Sequence, residues 1–192
     1  MYLIHNTDIT SLKSILKDKC LKSLSLQKKT NKNAQPNYGD GVYTENNFVY
    51  FGCTNKLFDN KVLENIATGI TLYFNSKLLF NKSFYVANLW SAVPQRLATW
   101  EFDNKSDGIK YKKKYNKNYT KYNSVLTKLY NYSISVSKKD EPFEVYQQIA
   151  VRNKVNLDEL VAIQFYNKSF ATESIIKYIT KFYPTVIIKI RY

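Results

Sequence analysis

Glycine and proline are scarce, five and four in 192 residues, and so are the residues that staple or metallate small folds, with two cysteines and one histidine. So little glycine and proline beside 17 tyrosines and 11 phenylalanines excludes a long disordered chain and implies an ordered protein with sheets. Cys20 and Cys53 are too few for a disulfide framework and lack metal-ligand spacing with His5, which excludes a structural zinc site. No run approaches the ~20 apolar residues that cross a bilayer. The start, Met1-Tyr2-Leu3-Ile4-His5, has neither the basic nor the long apolar stretch of a secretory leader. The expectation is a soluble intracellular protein with free thiols. A Walker loop, a Gly-rich dinucleotide fingerprint, a Ser-His-Asp order and a Cys-His nucleophile pattern are also missing, and those enzyme classes are set aside.

What is present begins with length: 192 residues suit one domain, 1–192, with a core of its own. Lysine and arginine number 29 against 15 acidic residues, a net charge of +14. A field of that sign attracts polyanions, with nucleic acid, DNA or RNA, the leading partner and an anionic membrane surface the second. Codon usage explains the same excess, because Lys, Asn, Ile, Tyr and Phe are all read by A/T-rich codons and arginine occurs only at Arg96, Arg152 and Arg191. That usage suggests a virus, parasite or low-G+C bacterium, with a large DNA virus first among them, and so host cytoplasm or the virion.

Along the chain, Tyr2-Leu3-Ile4 reads as a strand, Asp8 as the N-cap of the next helix, and Ile9, Leu12, Ile15 and Leu16 as its buried face. Residues 27–40 read as a long polar loop. Strands follow at 42–43, 48–51, 70–74, 84–86, 145–151, 162–166 and 186–190, with a helix over 172–181 that Pro184 stops. The interval 93–124 gives no assignment.

Three pieces of this pattern, in order, carry a resemblance. The first is Tyr2-Leu3-Ile4-His5-Asn6-Thr7 leading into Leu12, Ile15 and Leu16, a hydrophobic strand, a His-x-Thr and a helix. The second is Gly41-Val42-Tyr43 followed by Phe48-Val49-Tyr50-Phe51-Gly52. The third is Glu144-Val145-Tyr146-Gln147-Gln148-Ile149-Ala150-Val151, followed by Val155, Leu157, Leu160 and Ala162-Ile163. The sequence thereby resembles the ADP-ribosyltransferases of the His-Tyr-Glu type. The resemblance implies an α+β fold of split antiparallel β-sheets with a few flanking helices, and NAD as substrate.

In that family the first-strand histidine holds a ribose of NAD, which implies His5 with Thr7 beside it, and a tyrosine stacks on nicotinamide, for which Tyr43 and Tyr50 are candidates. Read alone, His5 is as well explained as a satisfied strand-end residue, and either tyrosine as core. The catalytic glutamate position falls on Gln148, whose amide keeps a hydrogen bond to the ribose 2′-hydroxyl but supplies no charge to an oxocarbenium-like ribose. Branches of the family without that glutamate include inactive members and others that transfer one unit. Glu144 lies on the same strand face as Gln148, since alternate residues share a side, and is a candidate rescue or a solvated carboxylate at the strand entrance.

A last segment, residues 109–122, interleaves lysine with tyrosine in a way that suits a phosphate backbone and stacked bases. Lys112, Lys113, Lys114, Lys117 and Tyr115 are its candidate contacts, against the plainer reading of a solvated Lys-rich loop. Two functions follow: a transferase that modifies nucleic acid or protein, or a degenerate member of the fold kept as a basic nucleic-acid-binding or structural, possibly virion, protein.

Overall fold

The structure, a computed structural model, describes residues 2–32, 34, 48–54, 56–58, 69–79, 84–87 and 148–191, with the backbone alone at 53, 84–87, 148 and 150. Strand β1 (Tyr2–Thr7) leads into helix α1 (Ile9–Asp18), where Asp8 caps the first turn by accepting from the Ser11 N–H at 2.8 Å and the Ser11 hydroxyl at 2.8 Å. Such a cap contributes about 1 kcal/mol. Lys19 ends the helix in the left-handed region at φ 54°, its N–H on the Ile15 carbonyl. The expected face is observed: Leu12 and Leu16 are buried, with Ile9 and Ile15 packed at the margin.

Next come β2 (Cys20–Lys22), α2 (Leu24–Thr30), β3 (Phe48–Thr54), β4 (Ile70–Asn75), β5 (Phe84–Ala87), β6 (Gln148–Arg152), β7 (Lys154–Asn156), β8 (Leu160–Phe165), α3 (Glu173–Phe182) and β9 (Ile187–Ile190). The expected loop over 27–40 is corrected at its start, because residues 27–30 are the last turn of α2. Local hydrogen bonds hold that polar turn, from the Gln27 amide to the Lys22 carbonyl at 2.8 Å and from the Thr30 hydroxyl to the Gln27 carbonyl at 3.0 Å. The reading also lacked β2, whose pairing is long-range: Cys20, Leu21 and Lys22 face Asn156, Val155 and Lys154 of β7.

The main sheet has seven strands in the order β5-β6-β3-β1-β4-β8-β9, and β2-β7 form a small second sheet. Every neighbouring pair is antiparallel except β8-β9, where α3 provides the crossover that parallel strands require. One face of the main sheet carries Leu3, Leu72, Phe74, Ile163 and Phe165 against Leu12 and Leu16 of α1 and Ile175 and Ile179 of α3. The two helices meet where the Tyr183 hydroxyl donates to the Leu16 carbonyl at 3.2 Å, satisfying a terminal carbonyl of α1. The other face packs Ile4, Tyr73 and Ala162 under Leu57 and Phe58. Gly69 precedes β4 at φ +83°, where a Cβ would also collide with the Phe170 ring.

Candidate active site

Strand β1 is paired along its whole length on one side and only half its length on the other. Against β4 the register runs from Tyr2↔Asn75 to Thr7↔Ile70. Against β3 it runs Tyr2↔Thr54, Leu3↔Cys53, Ile4↔Gly52 and ends there. The first half of β3 pairs instead through its other edge, Phe48↔Arg152 to Phe51↔Ile149 of β6. The sheet therefore parts between β1 and β3 just past Gly52, whose missing side chain allows the last close approach: a Cβ there would lie 3.0 Å from Ile4 Cγ1.

His5 is the first residue beyond the parting. Its Nδ1 lies 2.9 Å from the Tyr50 carbonyl oxygen, and its ring packs against Phe51 with centroids 5.7 Å apart. A carbonyl only accepts, so Nδ1 carries the hydrogen and, in the neutral ring, Nε2 is left as an acceptor. Nε2 has no hydrogen-bond partner among the described residues. Phe51 is held in turn by the edge of Phe74, centroids 5.6 Å apart at 83°. The imidazole thus closes the main-chain hydrogen bond that the interrupted ladder leaves open, with its orientation fixed from two sides.

Burial, which outweighs the hydrogen bond to the Tyr50 carbonyl, lowers the His5 pKa below its ordinary 6.5. The folded chain then takes up this proton less readily than the unfolded one. Stability is unaffected by His5 above about pH 6.5 and falls as pH drops through the interval down to the folded-state pKa. The Asp8 carboxyl is lowered from its own ordinary 3.8: burial opposes its charge, but hydrogen bonds from Ser11 prevail. We expect the urea midpoint to fall between about pH 7.5 and 5.5, and His5→Gln, as the chain has no other histidine, to remove that fall. An equal fall in both proteins would place the proton elsewhere.

Of the residues read from sequence, His5 and Tyr50 are brought together, but through ring and carbonyl. The Tyr50 side chain projects from the strand face opposite Phe51, its ring 6.4 Å from that of Phe48. Thr7 is buried two residues on from His5, its hydroxyl 3.5 Å from the Asp8 carbonyl. Gln148 is the first residue of β6, its Cα opposite Ala87, and the next residue, Ile149, stands opposite Phe51. The strands bearing His5 and Gln148 thus flank β3 on its two edges. Tyr43, Glu144, Lys112, Lys113, Lys114, Tyr115 and Lys117 lie outside the described residues. The sequence reading missed the Tyr50 carbonyl, since main-chain groups leave no mark on residue identity, and missed Phe51 and Gly52 as separate contributors although both stood in its second motif. Among the described residues no group of His, Cys, Asp and Glu could hold a metal, and no helix is long and apolar enough to cross a membrane.

The expected α+β class is observed, with a parted sheet and three helices among the described residues, and solved structures share this fold. The particular likeness is to DarT. The Thermus sp. 2.9 DarT structure in complex with NAD+ aligns over 99% of this chain and 94% of that one, with TM-score 0.53 at 13% identity. The same protein in complex with carba-NAD+ aligns over 99% and 95% with TM-score 0.54 at 13% identity. Thermosipho africanus DarTG in complex with ADP-ribose aligns over 98% of this chain and 49% of that one, with TM-score 0.57 at 13% identity. No protein-family model and no curated protein matches the sequence. At such identity the likeness is one of fold.

Proposed function

We propose that this protein binds NAD in the parting between β1 and β3 and is an ADP-ribosyltransferase of low intrinsic activity that modifies nucleic acid or protein. The observation that carries the reading is His5. Its tautomer is set by the Tyr50 carbonyl and its neutral form is favoured by burial, so Nε2 presents a lone pair where the sheet opens. A neutral acceptor at that place suits a ribose hydroxyl, and Thr7 lines the same strand. Support comes from the NAD+, carba-NAD+ and ADP-ribose complexes of proteins with this fold. In this reading Tyr43 offers a ring to the nicotinamide, where stacking on a cationic ring gains from both burial and the ring quadrupole, while Tyr50, whose ring leaves on the face opposite Phe51, contributes its carbonyl to His5.

The reaction would break the bond between nicotinamide and the ribose C1′ while the acceptor forms a new bond to C1′ and gives up a proton. Gln148 would accept or donate a hydrogen bond at the ribose but leaves the developing positive charge without a carboxylate. Glu144 is the nearest acid in sequence on the same alternation. Titration calorimetry of NAD into wild type and His5→Ala tests the reading. One lost hydrogen bond of this kind corresponds to about a tenfold weaker Kd. Absence of binding to the folded wild-type protein would end the proposal.

The second reading, a degenerate member of the fold that acts as a basic nucleic-acid-binding or structural protein, is favoured by the neutral Gln148 together with the net charge of +14. Its contacts would be Lys112, Lys113, Lys114 and Lys117 on phosphates, with Tyr115 stacking on a base. Replacing the four lysines by alanine is expected to weaken single-stranded DNA or RNA binding and to flatten the plot of log K against log salt by roughly 3. Unchanged affinity at low salt would remove this segment from the interface.

A further inference from the structure

On the sheet face opposite the α1 and α3 core, a row of polar side chains runs from the middle of the sheet to its β9 edge. The register Asn6↔Thr71↔Gln164↔Lys189 joins β1, β4, β8 and β9. The Thr71 hydroxyl donates to Asn6 Oδ1 at 2.8 Å, and the Tyr73 hydroxyl donates to Gln164 Oε1 at 2.9 Å. Thr71, Tyr73 and Gln164 have no exposed surface. Tyr166 adds a second phenol, its oxygen 3.5 Å from the Thr71 hydroxyl, and Arg191 lies over the Tyr166 ring at 5.0 Å.

Two donors in this cluster are buried without a hydrogen-bond partner among the described residues: Gln164 Nε2 and Arg191 Nη2. Since Tyr73 holds the amide oxygen, the Gln164 amide plane is fixed and its N–H groups point away from that phenol. An unpartnered buried donor costs about 1–3 kcal/mol, more when charged, so two in one cluster require an account. Lys189, one register step from Gln164, reaches only over the Phe58 ring at 4.9 Å. Two cations and an amide donor therefore converge on this face beside three hydroxyls, with no carboxylate in contact among the described residues. Burial raises the pKa of both phenols, so neither supplies negative charge.

We propose that this cluster is a binding site for a phosphate-type oxyanion, reached from the β9 edge of the sheet and held by Arg191 and Gln164 Nε2 with Lys189 at its mouth. Donors without acceptors select an anion. Two cations with no carboxylate among the described residues favour a doubly charged one, and the planar guanidinium fork matches phosphate oxygens. The site lies on the opposite side of the sheet from the His5 ring and does not depend on NAD binding.

The test is thermal unfolding of the full chain in inorganic phosphate against sodium chloride at matched ionic strength. Phosphate is expected to raise the wild-type Tm by several degrees more than chloride, as a ligand that binds only the folded state must. In Arg191→Gln the extra shift should vanish, with phosphate affinity at least about tenfold weaker. Should that variant fold poorly by circular dichroism, Lys189→Gln, an exposed position, is expected to weaken phosphate about threefold in a folded protein. The source of the phosphate is read with short oligonucleotides. Tighter binding of a 5′-phosphorylated strand than of its 5′-hydroxyl twin, lost in Arg191→Gln, assigns the site to a nucleic-acid end, whereas equal binding assigns it to free phosphate. Wild type that gains no more from phosphate than from chloride, or variants that gain as much as wild type, would overturn the proposal and leave the donors to water.

Discussion

Gln148→Glu is expected to release nicotinamide from NAD about a hundredfold faster than the wild-type chain. Charge aimed at a cation that develops only in the transition state contributes about 3 kcal/mol, and glutamate returns it at unchanged side-chain length. The wild type should turn over weakly or not at all. Glu144→Gln separates the two carboxylate roles: it abolishes the residual wild-type rate if Glu144 stands in for the missing acid and leaves it alone if Glu144 is a solvated strand-end group. Rapid wild-type turnover indifferent to both positions would mean that the catalytic strand is elsewhere. A Gln148→Glu protein that binds NAD and remains inert would favour the degenerate, nucleic-acid-binding reading.

Phe51→Ala is expected to be the most destabilising change near the site. Phe51 is 1% exposed, lies edge-on to Phe74 and backs the His5 ring. Phenylalanine-to-alanine cavities in cores cost about 3–5 kcal/mol, a large part of the ~5–15 kcal/mol that holds a domain together. The urea midpoint should fall at an unchanged m-value. Because the cavity opens beside His5, NAD affinity should fall with it even where the protein remains folded. A cost below about 1 kcal/mol would mean that the neighbouring rings refill the space.

Much of the fold was legible because its signals are local. Asp8 followed by Ile9, Leu12, Ile15 and Leu16 encodes a capped amphipathic helix within ten residues, and the run from Ile70 to Phe74 encodes a central strand by its apolar, β-branched and aromatic content. The pair β2-β7 was not legible, since three residues, Cys20 to Lys22, become a strand only when residues 154–156 arrive beside them. Within the site, His5 stood out through its motif and its singularity. The Tyr50 carbonyl that orients it did not, because what matters there is where the ladder breaks, and that is a property of two strands together. Gln164 gave a signal that went unread: one amide in the otherwise apolar stretch Leu160-Val161-Ala162-Ile163-Gln164-Phe165.

The position of β1 between β3 and β4 also bears on how the chain assembles. Strand β1 lies in the middle of the main sheet, and β2, which follows α1, closes on residues 154–156. β1 has both partners once residue 75 is made, but β2 waits for residues 154–156, so most of the chain must leave the ribosome before the small sheet can close. Such non-local pairing places folding in the slower range of small domains, roughly milliseconds to seconds. Until β6 and β8 emerge, the outer edges of β3 and β4 are unpaired and exposed to aggregation or to chaperones.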